Sequence, residues 1–314
     1  MEKLTVSANP HIKGAATTQR IMLDVIIALV PAGVASVIIF GWRSLLVIAT
    51  CILSAIISEF ICRKIMKRSN TIGDLSAVVT GLLLAYNLPV SIPLWMAAIG
   101  SAVAIVVVKQ MFGGLGHNFV NPALIGRIVL MNSFASAMSH WTLPVMYQSG
   151  ADAITTATPL VQMSNGTAVK YTDLLFGTTG GCLGETCVIA LVVGGIYLVC
   201  RRVISPVIPL VYIGTTALLT FFAGFDPLAQ TMSGGLMLGA IFMATDYATS
   251  PTTTLGKVIY AIGCGAITSF IRIFGSIPEG VSYSIIIMNI VTPHIDRLTR
   301  HKPFGSVKAK GEGK

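Results

Sequence analysis

The ten residues Val25 to Val34, VIIALVPAGV, have a near echo at Cys187 to Ile196, CVIALVVGGI, 162 positions further on. Both lie inside longer apolar stretches, and those stretches decide the fold class. Only 11% of the 314 residues are charged, against roughly 25% in soluble globular domains, 54% are hydrophobic, and the mean hydropathy is +0.81. A soluble fold, a disordered chain, a disulfide scaffold and a nucleic-acid binder are excluded together. Ten helices of roughly 20 residues each would use about 200 residues, which leaves no room for a separate soluble catalytic domain. The expected class is an all-α membrane protein.

The echo continues outward in register. Ala98 to Val108 (AIGSAVAIVVV) resembles Ala261 to Ile271 (AIGCGAITSFI) at an offset of 163, and between them Gly81 to Ala85 (GLLLA) resembles Gly235 to Gly239 (GLMLG). Three matches in one order predict an internal duplication. With five helices per unit the second unit enters the bilayer upside down, so about ten transmembrane helices in two inverted five-helix repeats are expected. The spans read as Ile21 to Phe40, Leu45 to Cys62, Leu75 to Leu88, Ile92 to Val108, Ala123 to Met138, Cys187 to Val199, Val203 to Phe222, Gly234 to Met243, Val258 to Phe274 and Ser282 to Val291. The third and eighth are too short for roughly 30 Å of hydrocarbon and rich in Gly, the mark of discontinuous helices around a binding site.

These spans divide the chain into an N-terminal segment (1–20), a first repeat (21–138), a long loop (139–186), a second repeat (187–296) and a basic tail (297–314). In that arrangement 17 of the 21 Lys and Arg residues, Lys109 among them, fall on one side. The positive-inside rule then puts both termini in the cytoplasm and the long loop outside, in a multi-pass protein of a bacterial cell (inner) membrane. The first apolar run lacks a small-residue cleavage pattern and reads as a retained helix. Four cysteines (Cys51, Cys62, Cys200, Cys264) lie in or beside apolar runs as packed thiols, and Cys182 and Cys187 have no metal-site spacing.

Three polar stretches interrupt the apolar pattern. Gly113 to Pro122 (GGLGHNFVNP) places Asn118 and Asn121 three residues apart, a spacing that faces one ligand if the segment turns helical and that equally suits helix caps. It is not a dinucleotide fingerprint, since no βαβ unit surrounds it. Met243 to Pro251 (MATDYATSP) holds Asp246, one of few acids near the membrane core; it is a functional candidate because burying it is costly, or else an N-cap. Asp24 and Glu59, inside spans one and two, are candidates on the same ground, but each sits near a span end and can snorkel. In the long loop, Asp152-Ala-Ile-Thr155-Thr156-Ala157-Thr158-Pro159 sets out hydroxyls that a phosphate could esterify, in a stretch that by composition alone is a Thr-rich loop. Pro159 pushes Thr158 toward an extended backbone, so its hydroxyl is expected to be presented outward. Asn165-Gly-Thr167 matches a glycosylation sequon.

With these motifs in place the chain resembles the RnfD/NqrB family: the D subunits of the Rnf complex, an ion-translocating ferredoxin:NAD oxidoreductase, and the B subunits of the sodium-pumping NADH:quinone reductase. The resemblance runs from Asn9-Pro-His11 and Thr18 to Asp24 through the three polar stretches to Met288-Asn289 and Pro303-Phe-Gly305. It implies two inverted five-helix repeats, in agreement with the duplication. It also implies a flavoprotein with FMN on the last threonine of a D-x-x-(S/T)-(G/S)-A-T motif, here Thr158, through a phosphoester bond. Thr156 stands where Gly is common in that motif, which leaves Thr155 and Thr156 as other acceptors. A second, noncovalent flavin, riboflavin, is implied near the cytoplasmic side, with Asn118, Asn121 and Asp246 at the matching positions.

The function so implied is electron transport coupled to export of Na⁺ or H⁺, in a translocase with the partner subunits RnfA, RnfB, RnfC, RnfE and RnfG; the chain would not be active alone. A flavin suits the task because it exchanges one or two electrons. The competing expectation is a cofactor-free channel or solute transporter of the same duplicated architecture.

Overall fold

The computed structural model describes residues 17–144, 157–167, 169–275 and 280–300. The motif residues Asn9-Pro-His11, Asp152, Thr155, Thr156 and Pro303-Phe-Gly305 lie outside them. The described chain is all helical. Helices α1 (Thr18–Phe40) and α2 (Trp42–Ile65) are followed by α3 (Ser76–Tyr86) and by α4 (Leu94–Val103), which continues as a π-helical segment Ala104–Gln110. Next come α5 (Pro122–Ser133) and the single turn α6 (Ala135–Met138), then two short helices of the long loop, α7 (Pro159–Ser164) and α8 (Tyr171–Phe176). The second half contains α9 (Val188–Cys200), α10 (Val207–Phe222), the short α11 (Pro227–Met232), α12 (Leu236–Leu238) running into a π segment Gly239–Met243, α13 (Thr254–Phe274) and α14 (Val281–Thr299).

Each apolar stretch read from the sequence carries a helix, but the lengths are unequal. Among the described residues three helices, α1, α2 and α13, are long and apolar enough to cross a membrane by themselves. The expected fifth span is broken at Phe134, which separates α5 from α6. The eighth is one α-turn followed by the π segment, and the tenth runs past Pro293 to Thr299, beyond its expected end.

The pattern of exposure is that of a membrane protein. Along α1 the residues Leu23, Ile27, Val30, Val34 and Ile38 form an outward stripe, all more than two-fifths exposed, while Asp24 and Ser36 are buried. Apolar groups outside and polar groups inside invert the soluble pattern, which is stable only where the surroundings are lipid. Asp24 does not snorkel. It accepts from Tyr197 Oη at 3.0 Å and from Arg201 at 3.4 Å.

The two echoing stretches pack on each other. A Cβ at Gly194 of α9 would collide with the Ala28 carbonyl of α1, so the glycine sets a close backbone approach of the kind that membrane helices use where no water drives them together. Buried tyrosines then peg the core: Tyr86 donates to Leu29 O at 2.8 Å, and Tyr212 joins the Thr268 and Ser284 hydroxyls at 2.7 and 2.9 Å.

Candidate functional site

The two interrupted helices end at the same place. The π segment after α4 closes with Met111 N–H on Val106 O, and the one after α12 with Ala244 N–H on Gly239 O, each spanning five residues. Such turns swing the side chains that follow out of helical register and recur at functional sites. They bring Lys109 from the first and Phe242, Thr245 and Asp246 from the second to one cavity, which also receives Asn118 and Asn121 and the starts of α1 and α3. The cavity is a cleft open to solvent, with about 80 Å³ accessible to a water-sized sphere.

The segment from Gly113 to Asn121 is not helical, contrary to the condition under which its asparagines would share a face. Gly113 and Gly114 adopt φ of +122° and +106°, open only to glycine, and a Cβ at Gly114 would meet the Arg63 guanidinium. The asparagines still converge, through turns. Asn121 is the N-cap of α5: its Oδ1 accepts from Ala123 N–H at 3.0 Å, Pro122 takes the first helical position, and its Nδ2 donates to Met243 O at 3.3 Å. One side chain thus staples the Gly-rich stretch to the Asp246 stretch. Asn289 adds a second staple, with its oxygen accepting from Asn121 N–H at 3.2 Å and its nitrogen donating to Tyr260 Oη at 2.7 Å. Asn118 Nδ2 donates to Val120 O at 3.1 Å.

Asp246 opens a turn, its carbonyl accepting from Ser250 N–H at 3.0 Å and its Oδ2 from Thr249 Oγ1 at 3.3 Å. It therefore caps this turn and lines the cavity but is not the N-cap of a helix, since α13 starts later and is capped by Thr253. Burial pushes its carboxyl above the usual aspartate range, and the Ala248 N–H, the Thr249 hydroxyl and the Asn118 amide offset part of that shift. Tyr247 lies beside it, more than half exposed, with its hydroxyl on Val203 O.

Sequence reasoning missed another residue of this cavity. Lys109, counted among the loop charges, is 2% exposed and paired at 2.8 Å with Glu59, which is 0% exposed and does not snorkel. Thr71 Oγ1 donates to Glu59 at 2.7 Å, and Lys109 also donates to Ser76 Oγ at 2.5 Å. The available signal was small: an acid inside one apolar run and a lysine ending another.

Thr158 lies in a second, smaller cavity, with about 20 Å³ accessible to a water-sized sphere, walled by Thr179, Gly180, Gly181, Glu185, Thr186 and Gly234. Its backbone is extended (φ −63°, ψ 156°), as a residue before proline should be. The outward presentation expected for its hydroxyl is not found. Thr158 is 6% exposed, and Oγ1 accepts from Val161 N–H at 3.5 Å as the N-cap of α7. Ala157, just before it, is exposed and its carbonyl accepts from Gln162 Nε2 at 3.0 Å. The wall is set by another buried ion pair, Arg127 with Glu185 at 2.8 Å. Arg127 lies inside α5 and also donates to Asn87 Oδ1 at 2.5 Å. Asn87 Nδ2 in turn reaches Met243 Sδ at 3.6 Å. A buried polar chain therefore runs from Glu185 in one cavity through Arg127, Asn87 and Met243 to Asn121 in the other.

The chain matches the NQR2, RnfD, RnfE family over residues 5–305. It is 46% identical, over 99% of its length and 98% of the relative, to the D subunit of the Na(+)-translocating ferredoxin:NAD(+) oxidoreductase complex of Acetobacterium woodii. It is 44% identical, over 96% of both chains, to the D subunit of the proton-translocating ferredoxin:NAD(+) oxidoreductase complex of Clostridium ljungdahlii. The D subunit of the ion-translocating oxidoreductase complex of Escherichia coli is 33% identical over 96% of this chain and 99% of that one.

Proposed function

The chain belongs to the NQR2, RnfD, RnfE family, and from that premise we propose that it is the membrane-embedded, flavin-carrying D subunit of an ion-translocating ferredoxin:NAD oxidoreductase. It works as one part of a redox translocase with the other Rnf subunits. The observation that carries the reading is the full-length similarity to the D subunits of that complex. The relatives from Acetobacterium woodii and Clostridium ljungdahlii are named for different ions, so the coupling ion is Na⁺ or H⁺.

The residues fit two flavins by different means. In the larger cavity Asn118, Asn121 and Asp246 would hold riboflavin beside Tyr247, in a cleft whose open side leaves the ring room to extend toward solvent. In the smaller, Thr158 would carry FMN through a phosphoester, with Asp152, Thr155, Thr156 and Ala157 as the motif that marks it. When bound, a flavin supplies one- and two-electron exchange. The protein's own part is to orient the groups, limit water with the apolar wall that Ile21, Val25, Leu83 and Phe242 give the larger cavity, and hold a proton on Asp246 more firmly than it would be held in water. Coupling requires an element with two arrangements. The π segments, which bring Lys109 and Asp246 to the larger cavity, are that element in this reading.

The ten-span inverted arrangement belongs to the same proposal, supported by the helix found in each apolar stretch, with both termini cytoplasmic. A cysteine at position 165, which is exposed beside Thr158, should then label in intact cells; labelling only after permeabilisation would reverse the topology. The decisive experiment is a denaturing gel of the purified subunit. A fluorescent yellow band supports the reading, and a colourless one returns the chain to the channel or transporter class.

A further inference from the structure

The Thr158 cavity contains a polar group that flavin attachment at Thr158 leaves idle. Thr186 is 7% exposed and lines the same space as Thr158, and its hydroxyl has no hydrogen-bond partner among the described residues. A buried hydroxyl left in this state costs free energy, and it is a donor in the same cavity as the oxygen that is to be esterified. The wall beside it is bare backbone: a Cβ at Gly181 would come to 3.2 Å from Thr186 Cγ2, and at Gly234 (φ +65°) to 2.8 Å from Leu160. Arg272 donates to Ser233 O at 3.0 Å, and its guanidinium lies 3.3 Å from where a Gly234 Cβ would stand. Glu185 on this wall has its charge offset by Arg127 at 2.8 Å, and the Arg272 guanidinium beside Gly234 adds a positive charge next to the space. That charge favours the single negative charge of a phosphodiester. Thr158 Oγ1 loses little on esterification, because its contact with Val161 N–H, at 3.5 Å, is long.

We propose that Thr186, with the Gly180–Gly181 turn, is the seat of the phosphate that joins a flavin to Thr158, the Thr186 hydroxyl donating to a non-bridging phosphate oxygen. This rests on the reading that Thr158 carries the flavin. Thr186 is then a positioning residue: it holds the attached group still.

The test compares the wild type, Thr186→Val and Thr186→Ser in the purified complex. Peptide mass spectrometry locates the adduct, and flavin fluorescence anisotropy together with the ³¹P resonance of the native complex reports how the phosphate is held. Thr186→Val should keep the adduct on Thr158 but lower the anisotropy and move the ³¹P line toward that of the unfolded flavopeptide, and Thr186→Ser should restore both. An adduct lost in Thr186→Val and kept in Thr186→Ser also supports the seat, because the hydroxyl is what the two variants differ in. Unchanged anisotropy and ³¹P shift in Thr186→Val overturn the proposal while leaving the flavin on Thr158 intact, and so does equal loss of the adduct in both variants. An adduct on Thr155 or Thr156 instead overturns the parent reading. In a Thr158→Ala background, Thr186→Val should fold with undiminished thermal stability, since it removes a hydroxyl that has no partner among the described residues.

Discussion

The two cavities are each walled by a buried ion pair, yet they use their polar groups differently. Around Asp246 the side chains are already engaged with protein: Asn121 caps a helix and staples two loops, Asn118 holds a carbonyl, and Asp246 closes a turn. Around Thr158 the space is less than half as large, the principal hydroxyl makes one long contact, and a neighbouring hydroxyl makes none among the described residues. A cleft whose amides are held in place is preorganised and binds a ligand reversibly at low cost. A small, incompletely satisfied cavity gains less from contact alone. The contrast accounts for why one site would hold its flavin by recognition and the other by a bond.

The largest effect that can break this comparison is all or none. Thr158→Ala should abolish covalent flavin fluorescence on a denaturing gel and leave the noncovalent flavin extractable, whereas Thr155→Ala should keep both. Loss of both flavins in Thr158→Ala would mean that the cavities are not independent.

Next in size are the ion pairs. Removing one partner of a buried pair strands the other charge at a cost of about 3–5 kcal/mol, so Arg127→Met and Lys109→Met should each lower the thermal midpoint in detergent sharply. Because Arg127 also joins Asn87 and the chain toward Asn121, its loss should disturb riboflavin content as well, and Lys109→Met should leave the Thr158 adduct untouched. A double Arg127→Met, Glu185→Leu variant should recover much of the stability. If it does not, the pair contributes more than its own neutralisation.

A smaller effect is expected at the staple. Asn121→Ala removes an N-cap worth about 1 kcal/mol together with the Met243 contact, so it should cost slightly more than that and reduce riboflavin retention. Asn118→Ala, which removes no cap, should cost less stability for a similar loss of riboflavin.

The smallest is a pH effect. A carboxyl whose pKa is raised in the folded state binds its proton more tightly there than in the unfolded chain. The folded state therefore loses stability as pH rises from the ordinary aspartate value of 3.8 through the raised value of Asp246. Asp246→Asn cannot ionise. Above that window it should melt slightly higher than the wild type, and below it the two should coincide. The same variant should assemble with its covalent flavin and contain less riboflavin; unchanged riboflavin and turnover would leave Asp246 only its capping role.

The sequence by itself determined that this is a helical membrane protein, where its apolar segments lie, and which three polar stretches interrupt them. It did so because hydropathy and motif spacing are local properties, and each helix satisfies its own backbone in lipid whatever its neighbours do. Proline after Thr158 likewise set that residue's extended backbone without any tertiary partner. The tertiary structure alone decided what these pieces face. Lys109 and Glu59, 50 residues apart, read separately as a loop charge and a snorkelling acid, and only helix packing makes them one pair. Thr158 read as exposed because nothing local says that Thr186, Gly181 and Gly234 close over it. Where helices shorter than a bilayer break into π turns, the direction of the next side chain depends on a half-turn of register that composition does not encode. Those turns bring Lys109 and Asp246 to one cavity.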